Sequence, residues 1–75
     1  MITYEVTVTR DENLWAVVVD GLPPGLIGAT DVERFEDLDT EVRDLIAGLT
    51  DTEPDSFDLT WRYILASVVN RWQRT

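Results

Sequence analysis

The chain has no cysteine, no histidine and no lysine, and each absence excludes a class of chemistry. Without cysteine there can be no disulfide, no thiolate nucleophile and no cysteine-ligated zinc, a composition that suits the reducing cytoplasm. Without histidine and lysine the chain lacks the usual general base near neutral pH and the Schiff-base amine. Any catalysis would depend on carboxylates, so we expect neither an enzyme nor a bound cofactor.

Positive charge is also scarce. Six basic residues, all arginine, stand against fifteen acidic ones, and the formal net charge is -9. Such a charge repels phosphate backbones and favours a basic protein as partner, so we expect no direct binding of nucleic acid. Long apolar runs are missing too, since none approaches the ~20 residues that span a bilayer. The N-terminus lacks the features of a signal peptide, and we expect no membrane segment.

The length of 75 residues predicts a single domain. We divide it into a core, residues 1–64, and a short C-terminal tail, residues 65–75. A chain of this size buries only ~60–65% of the surface that its unfolded form exposes. Marginal stability of this kind favours assembly, and we expect a homodimer.

The N-terminal third reads as strands. Residues 2–9 alternate apolar and polar side chains, which is typical of a strand with one buried face. Residues 10–13 predict a four-residue hairpin connection built around a type I turn, with Asn13 suited to positive φ. Residues 14–19 are apolar on both faces and predict an interior strand. A proline-glycine loop then leads to a short third strand at residues 26–29.

A helix is predicted next. Thr30 and Glu33 have the spacing of a capping box, so the helix should begin there and end before Pro54. Its apolar stripe consists of Phe35, Leu38, Val42, Leu45, Ile46 and Leu49. Residues 57–64 alternate again and predict a fourth strand with an aromatic face, and residues 65–75 return to helical spacing.

This order of elements predicts an α+β fold. Three strands running up, down and up, followed by a helix, leave the fourth strand parallel to the first through a right-handed crossover. The expected product is a four-stranded mixed sheet of order 3-2-1-4, with the helix on one face and a short C-terminal helix after it. We expect the sheet to bury Tyr4, Val6, Val8, Trp15, Val17, Leu59 and Trp61 against the apolar stripe from Phe35 to Ile46.

A row of acids marks the candidate partner-binding face. It consists of Glu33, Asp37, Glu41 and Asp44. The first interpretation is a solvated helix face, helped by an Asp39 to Arg43 pair at four-residue spacing. The second is a surface that faces a basic protein. A magnesium site is the weakest alternative, because such sites need convergent carboxylates and phosphate oxygens.

Two further sets of residues carry alternatives. Glu5 and Asp58 fall on strands that the topology makes neighbours, and together they would be the start of a carboxylate-dependent nuclease site. The tail carries an apolar stripe that we assign to a dimer interface in preference to covering the other face of the sheet. Its members are Leu65, Val68, Val69 and Trp72.

Several segments together resemble the HicB-like antitoxins. They are Tyr4-x-Val6-x-Val8, an acidic turn, Trp15-x-Val17-x-Val19, a proline-glycine loop, a Thr-x-x-Glu helix start, Val42-Arg43-Asp44-Leu45-Ile46-Ala47 and a closing strand. The resemblance covers residues 1–64. It implies a partial RNase H-like fold that has lost its catalytic acids and binds HicA, a small basic toxin that cuts mRNA, within a bacterial toxin-antitoxin system.

Many HicB-like proteins continue into a DNA-binding domain, whereas eleven residues follow Ile64 here, so we expect a short form that does not read DNA. The leading hypothesis is thus a noncatalytic acidic module that binds and neutralises a basic toxin. Its rivals are a carboxylate- and magnesium-dependent nuclease remnant and a homodimeric structural or effector-binding module.

Overall fold

Four strands form one sheet in the computed structural model, which describes residues 1–64. The elements in chain order are β1 (Thr3–Asp11), β2 (Leu14–Asp20), β3 (Gly28–Val32), a 3₁₀ turn (Phe35–Asp37), α1 (Leu38–Thr50) and β4 (Asp58–Ile64). The sheet order is β3-β2-β1-β4, with β4 parallel to β1 and the other pairs antiparallel. The predicted α+β class, strand order and parallel crossover are confirmed. The predicted C-terminal helix lies outside the described residues.

The first hairpin is tighter than its sequence predicts. Asp11 pairs with Leu14, so the loop has two residues instead of four, and Glu12 rather than Asn13 has the left-handed backbone with φ 54°. The longer pairing has a physical cause in the side chains. Arg10 lies opposite Trp15, with its guanidinium 4.6 Å from the ring centroid. This contact favours continued pairing of the two strands beyond the expected end of β1.

The capping-box prediction is wrong. Thr30 lies within β3, opposite Val17, and α1 begins at Leu38 after the 3₁₀ turn, with no side-chain hydrogen bond at either N-cap. The third strand is correspondingly later in the chain than residues 26–29. Val32 accounts for the difference, because it is buried opposite Trp15 and its burial extends β3 through the residues that resemble a cap. Burial of a valine contributes ~1.5–3 kcal/mol, more than the ~1 kcal/mol of a typical cap.

The core lies between α1 and the inner face of the sheet. The helix contributes Leu38, Val42 and Ile46, at the predicted spacing of three to four residues. The buried sheet residues are Tyr4, Val6, Val8, Val17, Val19 and Val32, and Phe57 is buried just before β4. Trp15, Leu45, Leu59 and Trp61 pack against them while partly exposed. The predicted inward set is therefore confirmed except at Phe35, which is 51% exposed because it precedes the helix proper.

The segment after α1 is held by its backbone and by one arginine. Asp51 ends the helix in the left-handed conformation, and the amide of Thr52 donates to the Ala47 carbonyl at 3.1 Å. Arg43 reaches from the helix to this segment, with Nη1 donating to the carbonyl of Pro54 at 2.9 Å and to that of Phe57 at 3.2 Å. These bonds fix the entry into β4.

The outer face of the sheet faces away from α1. Its centre is the row in which Val18 pairs with Thr7, and Thr7 also pairs with Arg62. Val18 and Ile64 are substantially exposed there, and within residues 1–64 no helix covers them. The helix that residues 1–64 contain is too short and too polar to cross a membrane.

Candidate functional site

The start of the helix separates two concavities on the surface. The acidic concavity is lined by Asp31, Val32, Glu33, Arg34, Asp37 and Glu41 and encloses about 260 Å³. The aromatic groove is lined by Phe35, Glu36, Leu38, Asp39, Trp61 and Tyr63 and encloses about 290 Å³. The segment from Glu33 to Glu41 contributes lining residues to both, so the two concavities lie near each other at the start of α1.

The acidic concavity contains three of the four acids predicted to bind a partner. Glu33 lies in the connection after β3, Asp37 ends the 3₁₀ turn, and Glu41 lies in the first turn of α1. Asp44 lies one turn further along the helix and does not line the concavity. The structure adds Asp31, which sequence reasoning missed because the helix was expected to begin at Thr30. A later helix start leaves Asp31 on β3, beside the others.

Among the residues that the structure describes, the negative charge of the acids in this concavity is not balanced by neighbouring cations. Arg34 is the one cationic residue of 1–64 that lines it, and the Arg34 guanidinium pairs instead with Glu36 at 3.6 Å, outside the concavity. Within residues 1–64 no ion pair involves Asp31, Glu33, Asp37 or Glu41. Part of the cluster has a structural role, because acids near a helix N-terminus interact favourably with the helix dipole.

The aromatic groove joins rings of the 3₁₀ turn and β4, and its Phe35 also contacts Trp15 of β2. The Phe35 ring meets Trp15 edge-on at 5.1 Å and Tyr63 at 5.8 Å between centroids, and the rings of Trp61 and Tyr63 are parallel within 7° at 6.2 Å. Trp61 and Tyr63 pair with Val6 and Val8, so they lie on the helix-covered face of β4. The alternation of β4 predicted that aromatic face, but it gave no sign that Phe35 would leave the core and join it.

Carboxylates lie along one side of this groove. Glu36 and Asp39 belong to the 3₁₀ turn and the first turn of α1, respectively. Oδ1 of Asp39 accepts from Nε of Arg43 at 3.2 Å. The predicted Asp39 to Arg43 pair is therefore confirmed, and it lies beside the groove. A surface that combines aromatic faces with carboxylates is suited to cations.

The outer face of the sheet is where the nuclease alternative would have its site. The register brings Glu5 opposite Asp20, while Asp58 lies diagonally across from Glu5, opposite Thr3. The third acid, Asp20, was not anticipated. Among residues 1–64 no group of three acids has a geometry that could hold a metal ion. The predicted dimer residues Leu65, Val68, Val69 and Trp72 lie outside the described part of the chain.

No family model, no curated protein and no solved structure matches this chain. The likeness to HicB-like antitoxins accordingly stays a prediction from the sequence, and the function has to be inferred from the charge and geometry of the site.

Proposed function

We propose that this chain is a noncatalytic binding module for a basic protein, and that the partner contacts the surface at the start of α1. The observation that carries the proposal is the acidic concavity, where the described part of the chain places four carboxylates beside one arginine, which pairs elsewhere. The net charge of -9 gives the whole chain a negative electrostatic potential as well. Opposite fields accelerate encounter and select the partner, so a basic protein is the ligand that this surface favours.

The specific form of the proposal is an antitoxin of the HicB type that neutralises a small basic RNA-cutting toxin by covering its active surface. The support for it is the sequence resemblance together with the acidic site. An RNA-binding toxin must carry a basic surface, since phosphate contacts dominate affinity for nucleic acid. An acidic module that occupies such a surface competes directly with the RNA.

The test begins with affinity capture from the native host, using the full chain as bait. The captured protein is then purified and recombined with the chain, and the dissociation constant is measured by calorimetry. We expect a basic protein, bound at least tenfold more weakly by a Glu33→Lys, Glu41→Lys variant. A Glu5→Lys, Asp58→Lys variant changes the charge equally on the outer face and should bind like the wild type. If both variants weaken binding equally, the acidic concavity is not the binding site.

The noncatalytic part of the proposal is tested separately. The purified chain is incubated with RNA and magnesium, alone and with the Glu5→Ala substitution. We expect no cleavage above background, whereas cleavage that Glu5→Ala abolishes would establish the nuclease alternative. If the captured partner cleaves RNA, addition of the chain should suppress that activity in proportion to complex formation, and unchanged cleavage would defeat the antitoxin form.

A further inference from the structure

We infer that the aromatic groove is a receptor for one arginine side chain of the basic partner, with the guanidinium stacked on the rings of Tyr63 and Phe35 and paired with Glu36. This inference rests on the proposed function. It goes further by naming the group that is recognised and the residues that recognise it.

The exposure of the rings is the first observation. Phe35 is 51% exposed and Tyr63 49% exposed, although both belong to a ring cluster that continues into the core through Trp15 and Trp61. The centroids of the two exposed rings lie 5.8 Å apart, and so the rings form one contiguous apolar patch, a feature typical of interaction sites. In the groove, rings that pack against other aromatic residues thus leave about half of their surface open to a ligand.

The negative charge of Glu36 and Asp39 beside the groove favours a cationic ligand. The Arg34–Glu36 pair, at 3.6 Å, has side chains 72% and 70% exposed. A pair this exposed is worth only ~0–1 kcal/mol, so Glu36 can exchange Arg34 for an incoming cation at little cost. Asp39 is committed to Arg43 through Oδ1 and adds negative charge without needing to contact the ligand.

Two arginines of the chain already show the mode of binding. Arg10 stacks over Trp15 at 4.6 Å within this same ring cluster. Arg43 lies 5.6 Å from the centre of the Phe57 ring while its Nε donates to a carboxylate, the combination that the groove offers with Tyr63 and Glu36. Within residues 1–64 no guanidinium stacks on Phe35, Trp61 or Tyr63.

Arginine fits this arrangement better than lysine. Its guanidinium is planar, is weakly hydrated and can stack on a ring while its edge donates two hydrogen bonds to one carboxylate. An ammonium group is more strongly hydrated and binds as a point charge, so the rings add less to its affinity. An apolar side chain would contact the rings but would gain nothing from the carboxylate of Glu36, which would keep its pair with Arg34.

The experiment titrates the full chain with acetyl-Gly-Gly-Arg-Gly-Gly-amide and follows the indole N–H signals of the tryptophans by NMR. Matched peptides carry citrulline, which keeps the shape without the charge, or lysine. We expect a saturable shift of the Trp61 signal with the arginine peptide. The lysine peptide should bind about three- to tenfold more weakly, as a weaker cation–π contribution implies, and the citrulline peptide should bind more weakly still.

Variants assign the binding to the groove. Tyr63→Leu and Phe35→Leu keep an apolar side chain but remove the ring, and each should weaken the arginine peptide about two- to fivefold, the equivalent of a surface cation–π contact. Glu36→Gln should weaken it similarly, whereas Glu53→Gln, an equal charge change beyond the end of α1, should not. Affinities that are the same for all four variants would overturn the inference. So would a shift that appears only when Arg71 and Arg74 of the full chain are changed to glutamine, because the tail would then be the occupant.

The captured partner separates this inference from the proposed function. If Glu33→Lys, Glu41→Lys weakens the partner while Tyr63→Leu and Phe35→Leu leave its affinity unchanged, the proposed function stands and the arginine receptor is wrong. If the arginine peptide binds the groove but capture yields no basic protein, the groove binds arginine, the protein-binding function is wrong, and the assignment of the groove to a basic partner is overturned with it.

Discussion

Arg43 connects the helix to the segment that leads into β4, and its replacement by methionine is the sharpest test of how this fold is held. Methionine keeps the apolar stem over Phe57 but removes the guanidinium. That group donates to the carbonyls of Pro54 and Phe57 and pairs with Asp39. These three polar contacts and the cation–π contact with Phe57 are lost together, so the substitution tests whether this single side chain anchors the crossover.

The expected loss follows from the individual contacts. A hydrogen bond from a charged donor contributes ~1.5–3 kcal/mol when buried, and the 27% exposure of the Arg43 side chain reduces each to about 1 kcal/mol. The cation–π contact with Phe57 adds ~0.5–1 kcal/mol. The pair with Asp39, whose side chain is 63% exposed, adds only ~0.3–0.5 kcal/mol. With two such hydrogen bonds, the cation–π contact and the ion pair all lost, we expect Arg43→Met to lower the free energy of unfolding by about 3 kcal/mol.

The assay is urea denaturation followed by circular dichroism, with thermal melting as a second measurement. For a domain of this size the loss corresponds to a decrease in Tm of about 12–24 °C. Asp39→Asn serves as the control, because it removes the ion pair alone and should cost about 0.5 kcal/mol or less. The reasoning fails if Arg43→Met stays within 0.5 kcal/mol of the wild type, or if Asp39→Asn costs as much as Arg43→Met.

Three further outcomes are expected. Gly28→Ala should lower the free energy of unfolding by about 1–3 kcal/mol in urea denaturation, because its Cβ would lie 2.7 Å from Leu22 and 3.0 Å from Val19. Gly48→Ala should raise it by about 0.5–1 kcal/mol, because no atom of residues 1–64 lies within 4 Å of the added Cβ and alanine favours the helix. Equal effects of the two substitutions would contradict this packing. Asp51→Gly should raise Tm by several degrees, since it relieves a left-handed aspartate at φ 56° and removes an acid from the helix C-terminus, and a lower Tm would argue against this. Sedimentation should show a dimer of the full chain that Trp72→Ser weakens, and a monomeric wild type would refute the predicted homodimer.

The parts of the fold that the sequence predicted depend on short-range periodicity. A buried face produces a periodic pattern whatever packs against it. In β1 the pattern is the alternation at Tyr4, Val6 and Val8, and in α1 it is the three- and four-residue steps from Leu38 to Ile46. Strand order followed from chain direction and from the handedness of crossovers. These rules apply before any tertiary contact is known.

The boundaries of the strands and the helix depend on tertiary contacts, and the sequence predicted some of them wrongly. Thr30 and Glu33 have the spacing of a cap, but burial of Val32 against Trp15 extended the strand through them. The burial of a valine side chain stabilises the fold by more than one N-cap hydrogen bond does. The valine can be buried only where a partner strand is present, and the local sequence does not show this.

The sequence predicted the acidic part of the candidate site but not its aromatic part, because the aromatic part depends on tertiary contacts. The helical spacing identified Glu33, Asp37 and Glu41 as neighbours, and they do share a concavity, although they lie on three different segments. The aromatic groove was missed. Its rings come from positions far apart in the chain, and the placement of Phe35 depends on where the helix begins.

The central claim is that the acidic surface at the start of α1 recruits a basic protein. Its most direct test is the association rate of the reconstituted complex, measured by stopped-flow fluorescence of the tryptophans from low to high salt. For the wild type we predict a rate that falls steeply with ionic strength. For the Glu33→Lys, Glu41→Lys variant we predict a rate lower by about tenfold or more at low salt, with a flatter salt dependence. A rate that is indifferent to both salt and these substitutions would contradict the claim.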